Sequence, residues 1–195
     1  LTGKLSNGLT YYVRHNEEPK DRASFYIIQN VGAILENDDQ NGLAHFLEHM
    51  AFQGTENFPD KGIIETLQRH GVSFGGNINA YTAQNETVYN ISAVPTTDVT
   101  LVDTCLMVLH DWSHYLTLDK EEIDAERGVI SEEWRTRRNP SFRIGLQINP
   151  VIYKDSQYAK RDVIGDYDII NNFEPQTLRD FYHDWYRTDL QAIVV

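Results

Sequence analysis

Apolar residues recur along this chain with the two spacings that define regular secondary structure. An Asn-Gly pair within residues 5–13 is followed by residues of high β propensity, which predicts a hairpin at the start of a sheet. The apolar run at 23–32 predicts a second, largely buried strand. The segments 75–82 and 87–93 predict two strands joined by a short loop, and 190–195 predicts another strand.

The helical spacing, with apolar residues three and four positions apart, occupies much of the remaining chain. Beyond a short helix after residue 42, it predicts helices over 61–70, 98–115, 119–138 and 174–186. Asp119 and Glu122 predict a capping box at the start of one of them, whereas 141–172 is expected to form short helices and loops. The order of these elements predicts an α+β domain, a mostly antiparallel sheet packed against helices.

The composition argues against several classes of protein, among them nucleic-acid-binding and membrane-spanning proteins. Seventeen basic and 29 acidic residues give a net charge of −12, which argues against a nucleic-acid partner because phosphates favour a basic surface. No apolar run is long enough for a membrane span. The single cysteine, Cys105, cannot form an internal disulfide. There are no internal repeats, so the 195 residues are expected to form one compact unit.

The candidate chemistry lies in one short helix. His45, Glu48 and His49 are three and four positions apart, so they share one side of an α-helix. Two neutral imidazoles at this spacing can bind one Zn²⁺, and a neighbouring carboxylate can take a proton from water. The pattern H-x-x-E-H is the inverted form of H-E-x-x-H and defines the inverzincins. The alternative is an amphipathic helix with these groups on its solvated face.

A catalytic zinc needs a third protein ligand, and the helix predicted at 119–138 offers candidates. Asp119, Glu126 and Glu133 are spaced seven apart and lie close to one stripe. Glu126 is flanked by apolar residues and could be drawn into a half-buried site. Spacing alone leaves this reading and an acidic solvated face equally open.

Several stretches together resemble the pitrilysin/insulysin family of zinc metallopeptidases, and the likeness covers nearly the whole chain. Besides His45–His49 followed by Glu126, the matching stretches are Leu5–Leu9, Glu48–Thr55, Asn79–Thr82, Glu126–Glu133 and Phe181–Arg187. In that family the third ligand is a glutamate at the separation that Glu126 has from His49. The amino-acid sequence around the motif is most similar to that of bacterial members.

The resemblance implies a zinc-dependent metalloendopeptidase domain that hydrolyses peptide bonds. It implies one Zn²⁺ per domain with three ligands: His45, His49 and Glu126. Glu48 would be the general base. Glu133 and Asp119 would be nearby carboxylates that orient a histidine or tune the metal, although a helix N-cap explains Asp119 equally well.

The same resemblance carries expectations about the substrate and the rest of the protein. Asn79, Ala80 and Tyr81 match an edge strand that pairs with the backbone of a peptide or unfolded polypeptide. The family fold joins two or more homologous domains, of one chain or of a partner subunit, into a clamshell. Residues 1–195 resemble its zinc-bearing, N-terminal half-clamshell domain, truncated at its C-terminal end. We therefore expect weak or no activity from this piece alone, and a periplasmic or cell-envelope location in a bacterium.

Two rival functions remain open at the sequence level. One is a zinc lyase that uses the same inverted motif with a cysteine ligand, for which Cys105 is the single candidate. The other is a non-catalytic domain of the same fold that serves binding or assembly. A second histidine pair, His110 and His114, is expected to lie at the surface rather than to form another metal site.

Overall fold

The computed structural model describes residues 1–195 and contains one six-stranded sheet. Its strands are β1 (Thr2–Lys4), β2 (Thr10–Tyr12), β3 (Arg22–Gln29), β4 (Ile78–Thr82), β5 (Thr87–Pro95) and β6 (Gln191–Val194). They lie in the order β1-β2-β6-β3-β5-β4, and every neighbouring pair is antiparallel except β2 and β6. The predicted mostly antiparallel sheet is confirmed, and β4 forms one of its edges.

Seven α-helices accompany the sheet. They are α1 (Leu43–Met50), α2 (Gly62–Arg69), α3 (Val99–His114), α4 (Lys120–Arg137), α5 (Pro140–Ile152), α6 (Tyr167–Asn172) and α7 (Pro175–Trp185). Helices α1 and α3 pack on β3, β4 and β5, and α4 packs on α1. This layered arrangement confirms the predicted α+β class. No helix has both the length and the apolar character needed to cross a membrane.

Side-chain alternation explains why one face of the sheet is covered. Phe25, Ile27 and Gln29 of β3 are fully buried, while the residues between them are only partly covered, as the two-residue period of a strand requires. On the covered face Trp112 of α3 stacks on Tyr89 of β5 with ring centroids 5.3 Å apart. These contacts fix the positions of the helices relative to the strands.

Two local predictions differ from the structure. Asp119 precedes α4, but its side chain makes no capping hydrogen bond, so the predicted capping box does not form. In the segment expected to hold short helices and loops, α5 is a regular helix of 13 residues. Its first turn is specified locally, because the Asn139 side chain accepts a hydrogen bond from the Phe142 N–H and Pro140 occupies the first helical position.

Candidate metal centre

The start of α1 is fixed by its local sequence. Gly42 precedes α1 with φ +107°, in the left-handed region that favours glycine, and a Cβ there would lie 2.9 Å from the Cα of Gly165. The buried carboxyl group of Glu36 accepts hydrogen bonds from the backbone N–H groups of Gly42 (3.0 Å) and Ala44 (2.8 Å). Glu36 therefore caps a helix whose own N-cap residue has no side chain.

Three candidate ligand atoms meet beside α1. Nε2 of His45 lies 3.5 Å from Oε2 of Glu133, and Nε2 of His49 lies 3.4 Å from the same oxygen. Atoms bound to a tetrahedral zinc at its usual bond lengths lie roughly 3.3–3.6 Å apart. Both histidine–glutamate distances therefore fit zinc, and the three ligand atoms lie within 4.8 Å of one another. No other group of histidine, cysteine and carboxylate side chains in the chain is so arranged.

Glu126, the predicted third ligand, lies on the other side of the His49 ring. Its Oε1 is 2.7 Å from Nδ1 of His49, and its Oε2 accepts a hydrogen bond from the Gln53 side chain at 2.7 Å. Both oxygens thus face away from the atoms that His45 and His49 share with Glu133. The oxygen that faces both histidine Nε2 atoms belongs to Glu133, which was expected only as a supporting carboxylate. Glu126, the expected third ligand, contacts Nδ1 of His49 instead.

The length of two helical turns explains why Glu126 and Glu133 contact opposite nitrogens of His49. Glu126 and Glu133 are separated by roughly 10 Å along α4, about the distance needed to reach opposite sides of an imidazole. The ring of His49 lies between them, so that each of its nitrogens faces one carboxylate. With Nδ1 donating to Glu126, the Nε2 lone pair of the neutral ring is directed at the candidate metal position.

Burial and charge give the two histidines different protonation states. Burial, together with the positive charge of His49, lowers the pKa of His45 to about 4. Burial also lowers the pKa of His49, but the carboxylates of Glu126 and Glu133 outweigh it and raise this pKa to about 9. Hydrogen bonding to His49 lowers the pKa of Glu133 to about 2. In the metal-free protein near neutral pH, His49 therefore carries the proton that a metal would displace.

The other oxygen of Glu133 is also held in place. Oε1 forms an ion pair with Arg137, one turn further along α4, while Oε2 faces the two histidines. By contrast, Nδ1 of His45 is buried without a hydrogen-bond partner, and its ring packs edge-to-face on His49 with centroids 4.8 Å apart. Arg137 thus orients the carboxylate, whereas packing alone orients His45.

Glu48 lies on the same side of α1, and its carboxylate is largely withdrawn from solvent. Oε2 of Glu48 accepts a hydrogen bond from the Thr82 hydroxyl at 2.6 Å. Burial raises the pKa of Glu48 above its ordinary value, partly offset by this hydrogen bond. A carboxylate with a raised pKa is a better proton acceptor for catalysis near neutral pH.

The remaining predicted residues lie apart from this group or at its border. Asn79, Ala80 and Tyr81 belong to β4, which pairs only with β5, so the strand does lie at an edge of the sheet. Asp119 belongs to the opposite end of α4 from Glu133 and is not part of the metal-binding group.

The structure does not support two other candidate sets of metal ligands. Cys105 is fully buried in the hydrophobic core, where burial raises the pKa of its thiol to about 12, and it does not belong to the metal-binding group. His110 and His114 direct their Nδ1 atoms at a neighbouring carboxylate and a backbone carbonyl, and they form no metal-binding group.

Sequence reasoning missed the residues that support the motif. Glu36, Gln53, Thr82 and Arg137 carry no pattern of their own, although Thr82 closes a stretch that carries the family resemblance. Their contacts join segments that are distant in the sequence, which periodicity along the chain does not report.

The mixed sheet-and-helix layer brings two histidines, a glutamate and a candidate base together in the inverted motif of zinc metallopeptidases. Residues 11–141 match the model of the family described as "Insulinase (Peptidase family M16)". The chain belongs to this family.

Relatives support this assignment across the full chain. The chain is 40% identical over 193 residues to "Probable zinc protease PqqL" of Haemophilus influenzae, covering 99% of this chain and 21% of that protein. The crystal structure of the first half of the periplasmic protease PqqL from Escherichia coli superposes with a TM-score of 0.94 and 36% identity, covering 100% of this chain and 41% of that one. Pitrilysin, at 22% identity, 99% and 20% coverage and a TM-score of 0.82, shares the fold. The chain spans about a fifth of the length of its curated relatives.

Proposed function

We propose that this domain binds one zinc ion through His45, His49 and Glu133 and hydrolyses peptide bonds. The observation that carries the proposal is the spacing of 3.4–3.5 Å between the histidine Nε2 atoms and one oxygen of Glu133. Glu126 supports the site by accepting the Nδ1 proton of His49, a role that carboxylates commonly take beside zinc-binding histidines. The names of the relatives as zinc proteases agree with this assignment.

Glu48 is the general base of the proposed reaction. A bound zinc supplies acidification of water and polarisation of the scissile carbonyl group. Glu48 accepts the proton of that water through its carboxylate and returns a proton to the leaving amine, for which its raised pKa suits it. Its place on α1, one residue before His49, holds this carboxylate beside the metal ligands throughout.

The proposed substrate is a peptide or an unfolded polypeptide that adds a strand to the edge of β4. Backbone N–H and C=O groups on the outer side of Asn79, Ala80 and Tyr81 would pair with the substrate backbone. Asn79 and Tyr81 expose their side chains, whereas Ala80 faces the protein, so the strand presents alternating side chains as it runs towards Glu48. Binding through the main chain favours extended substrates over folded ones.

We further propose that residues 1–195 are the zinc-bearing domain of a longer polypeptide, with homologous peptidase domains as its partners in the same chain or subunit. The supporting observation is that curated relatives are about five times as long. The description of PqqL from Escherichia coli as a periplasmic protease supports a periplasmic location for this protein as well.

The test is hydrolysis of an unstructured peptide by the zinc-loaded full-length protein and by its Glu48→Gln variant. We expect Glu48→Gln to retain one equivalent of zinc while kcat falls by at least about 100-fold, because the base is lost and the ligands are intact. Glu65→Gln is the matched control, since Glu65 is exposed on α2 and pairs only with Arg69. Equal activity in the parent and Glu48→Gln would refute the proposed base.

A further inference from the structure

The hydroxyl of Thr82 links the edge strand to the carboxylate of Glu48. Oγ1 of Thr82 lies 2.6 Å from Oε2 of Glu48, the shortest side-chain hydrogen bond that either residue makes. No other side chain and no backbone N–H donates to Glu48. The position of this carboxylate relative to its surroundings is therefore set by its own helix and by one threonine.

Strand geometry explains why Thr82 faces Glu48. Side chains alternate along β4, and Thr82 shares the protein-facing side with Ile78 and Ala80, where α1 packs. Thr82 is also the last ladder residue of β4, opposite Thr87 of β5. Thr87 is fully buried and donates its own hydroxyl proton to the carbonyl of Val31, which anchors this end of the strand pair. The backbone at residue 82 is thus held by its pairing with the anchored Thr87.

Hydrogen-bond chemistry assigns the two carboxylate oxygens of Glu48 different tasks. A hydroxyl has one proton, and that of Thr82 is directed to Oε2. Oε1 accepts no hydrogen bond from the protein, yet it is not among the enclosed polar atoms that lack a partner. It therefore remains available to a water molecule at the metal ligands, while Oε2 is occupied.

We propose that Thr82 is a positioning residue for the general base, one that couples the register of a substrate on β4 to the orientation of Glu48. The inference rests on the proposed peptidase function and goes beyond it. Because Thr82 directly follows Asn79, Ala80 and Tyr81, a strand that pairs with β4 is placed relative to the same backbone that holds Glu48. Thr82 does not touch the reacting atoms; it acts through the carboxylate.

The test compares Thr82→Val with Thr82→Ser in the zinc-loaded full-length protein. Valine keeps the β-branched shape and removes the hydroxyl, and serine keeps the hydroxyl. We expect Thr82→Val to lower kcat about tenfold, with KM within about twofold and one equivalent of zinc retained, and Thr82→Ser to remain within about twofold of the parent. Thr10→Val makes the same change on β2, remote from β4 in the sheet order, and should leave all three quantities unchanged.

The outcomes separate this inference from the proposed function. Unchanged kcat in Thr82→Val, equal losses in the valine and serine variants, or loss of zinc in Thr82→Val would each overturn the positioning role. If the zinc-loaded full-length parent hydrolyses no peptide, the proposed function fails, and the contact itself is tested by thermal unfolding. The Tm losses of Thr82→Val and Glu48→Gln should then be non-additive in the double variant, and additive losses would overturn the inference.

Discussion

Zinc binding near pH 7 should release one proton per metal ion, and that proton should come from His49. The carboxylates of Glu126 and Glu133 raise the pKa of His49 to about 9, so nearly every metal-free molecule carries this proton at neutral pH. His45, with a pKa of about 4, and Glu133, with a pKa of about 2, are already deprotonated. Removing the His49 proton at pH 7 costs about 2.7 kcal/mol, which lowers the apparent zinc affinity about 100-fold.

Isothermal titration calorimetry in two buffers of different ionisation enthalpy measures this proton directly. We expect one proton per zinc between about pH 6 and pH 8, with the apparent Kd falling about tenfold for each pH unit. In Glu126→Gln the pKa of His49 should fall, because an anionic acceptor is replaced by a neutral one, so proton release near pH 7 should become fractional. Release of no proton, or of two, by the parent protein would refute this assignment of charges.

Two further predictions concern the start of α1. Gly42→Ala should lower the free energy of unfolding by about 1–3 kcal/mol in urea denaturation, because the new Cβ would sit at a positive φ and clash with the backbone of Gly165. Gly71→Ala is the control, since Gly71 also has a positive φ (+76°) but no atom lies near its Cβ, and it should lose less stability. Equal losses in the two variants would contradict the steric argument. Burial raises the pKa of Glu36 from its ordinary value of 4.5 to about 8, so between these two pH values the folded state binds more protons than the unfolded state. The free energy of unfolding should therefore fall by about 2–3 kcal/mol from pH 5 to pH 7. Glu36→Gln should lack this slope, and a parallel pH dependence in both proteins would contradict it.

The motif helix is the part of the site that the sequence predicts best. Spacing of three and four residues determines that His45, Glu48 and His49 share one side of any helix that contains them, whatever surrounds it. The β4 edge follows from the family resemblance, and its neighbours in the sheet confirm its place.

The choice between two glutamates on α4 could not be made from spacing. Glu126 and Glu133 lie on one stripe of α4, and both reach His49. Which of them faces Nε2 depends on where α4 crosses α1, which is a property of tertiary packing. Spacing therefore leaves the choice of third ligand open, while the helix that carries both glutamates was predicted correctly.

Helix α5 shows the same limit at the level of secondary structure. Gly145 and Pro150 lie inside it, and both residue types disfavour helix interiors, so short pieces and loops were the natural expectation for this segment. None of the residues of α5 is buried, although it contains large apolar residues such as Ile144, Ile148 and Val151, so packing against the core does not specify this helix. Asn139, whose side chain caps the helix, is the local signal that was available.

The central claim is that Glu133 binds the metal and Glu126 orients His49. The most direct measurement is the zinc content and affinity of the parent, Glu133→Ala and Glu126→Ala after dialysis against a competing chelator. We expect one equivalent in the parent, none in Glu133→Ala, and one equivalent in Glu126→Ala with affinity about 10–100-fold lower, since only an outer hydrogen bond is lost. Loss of zinc in Glu126→Ala together with full binding in Glu133→Ala would contradict the account.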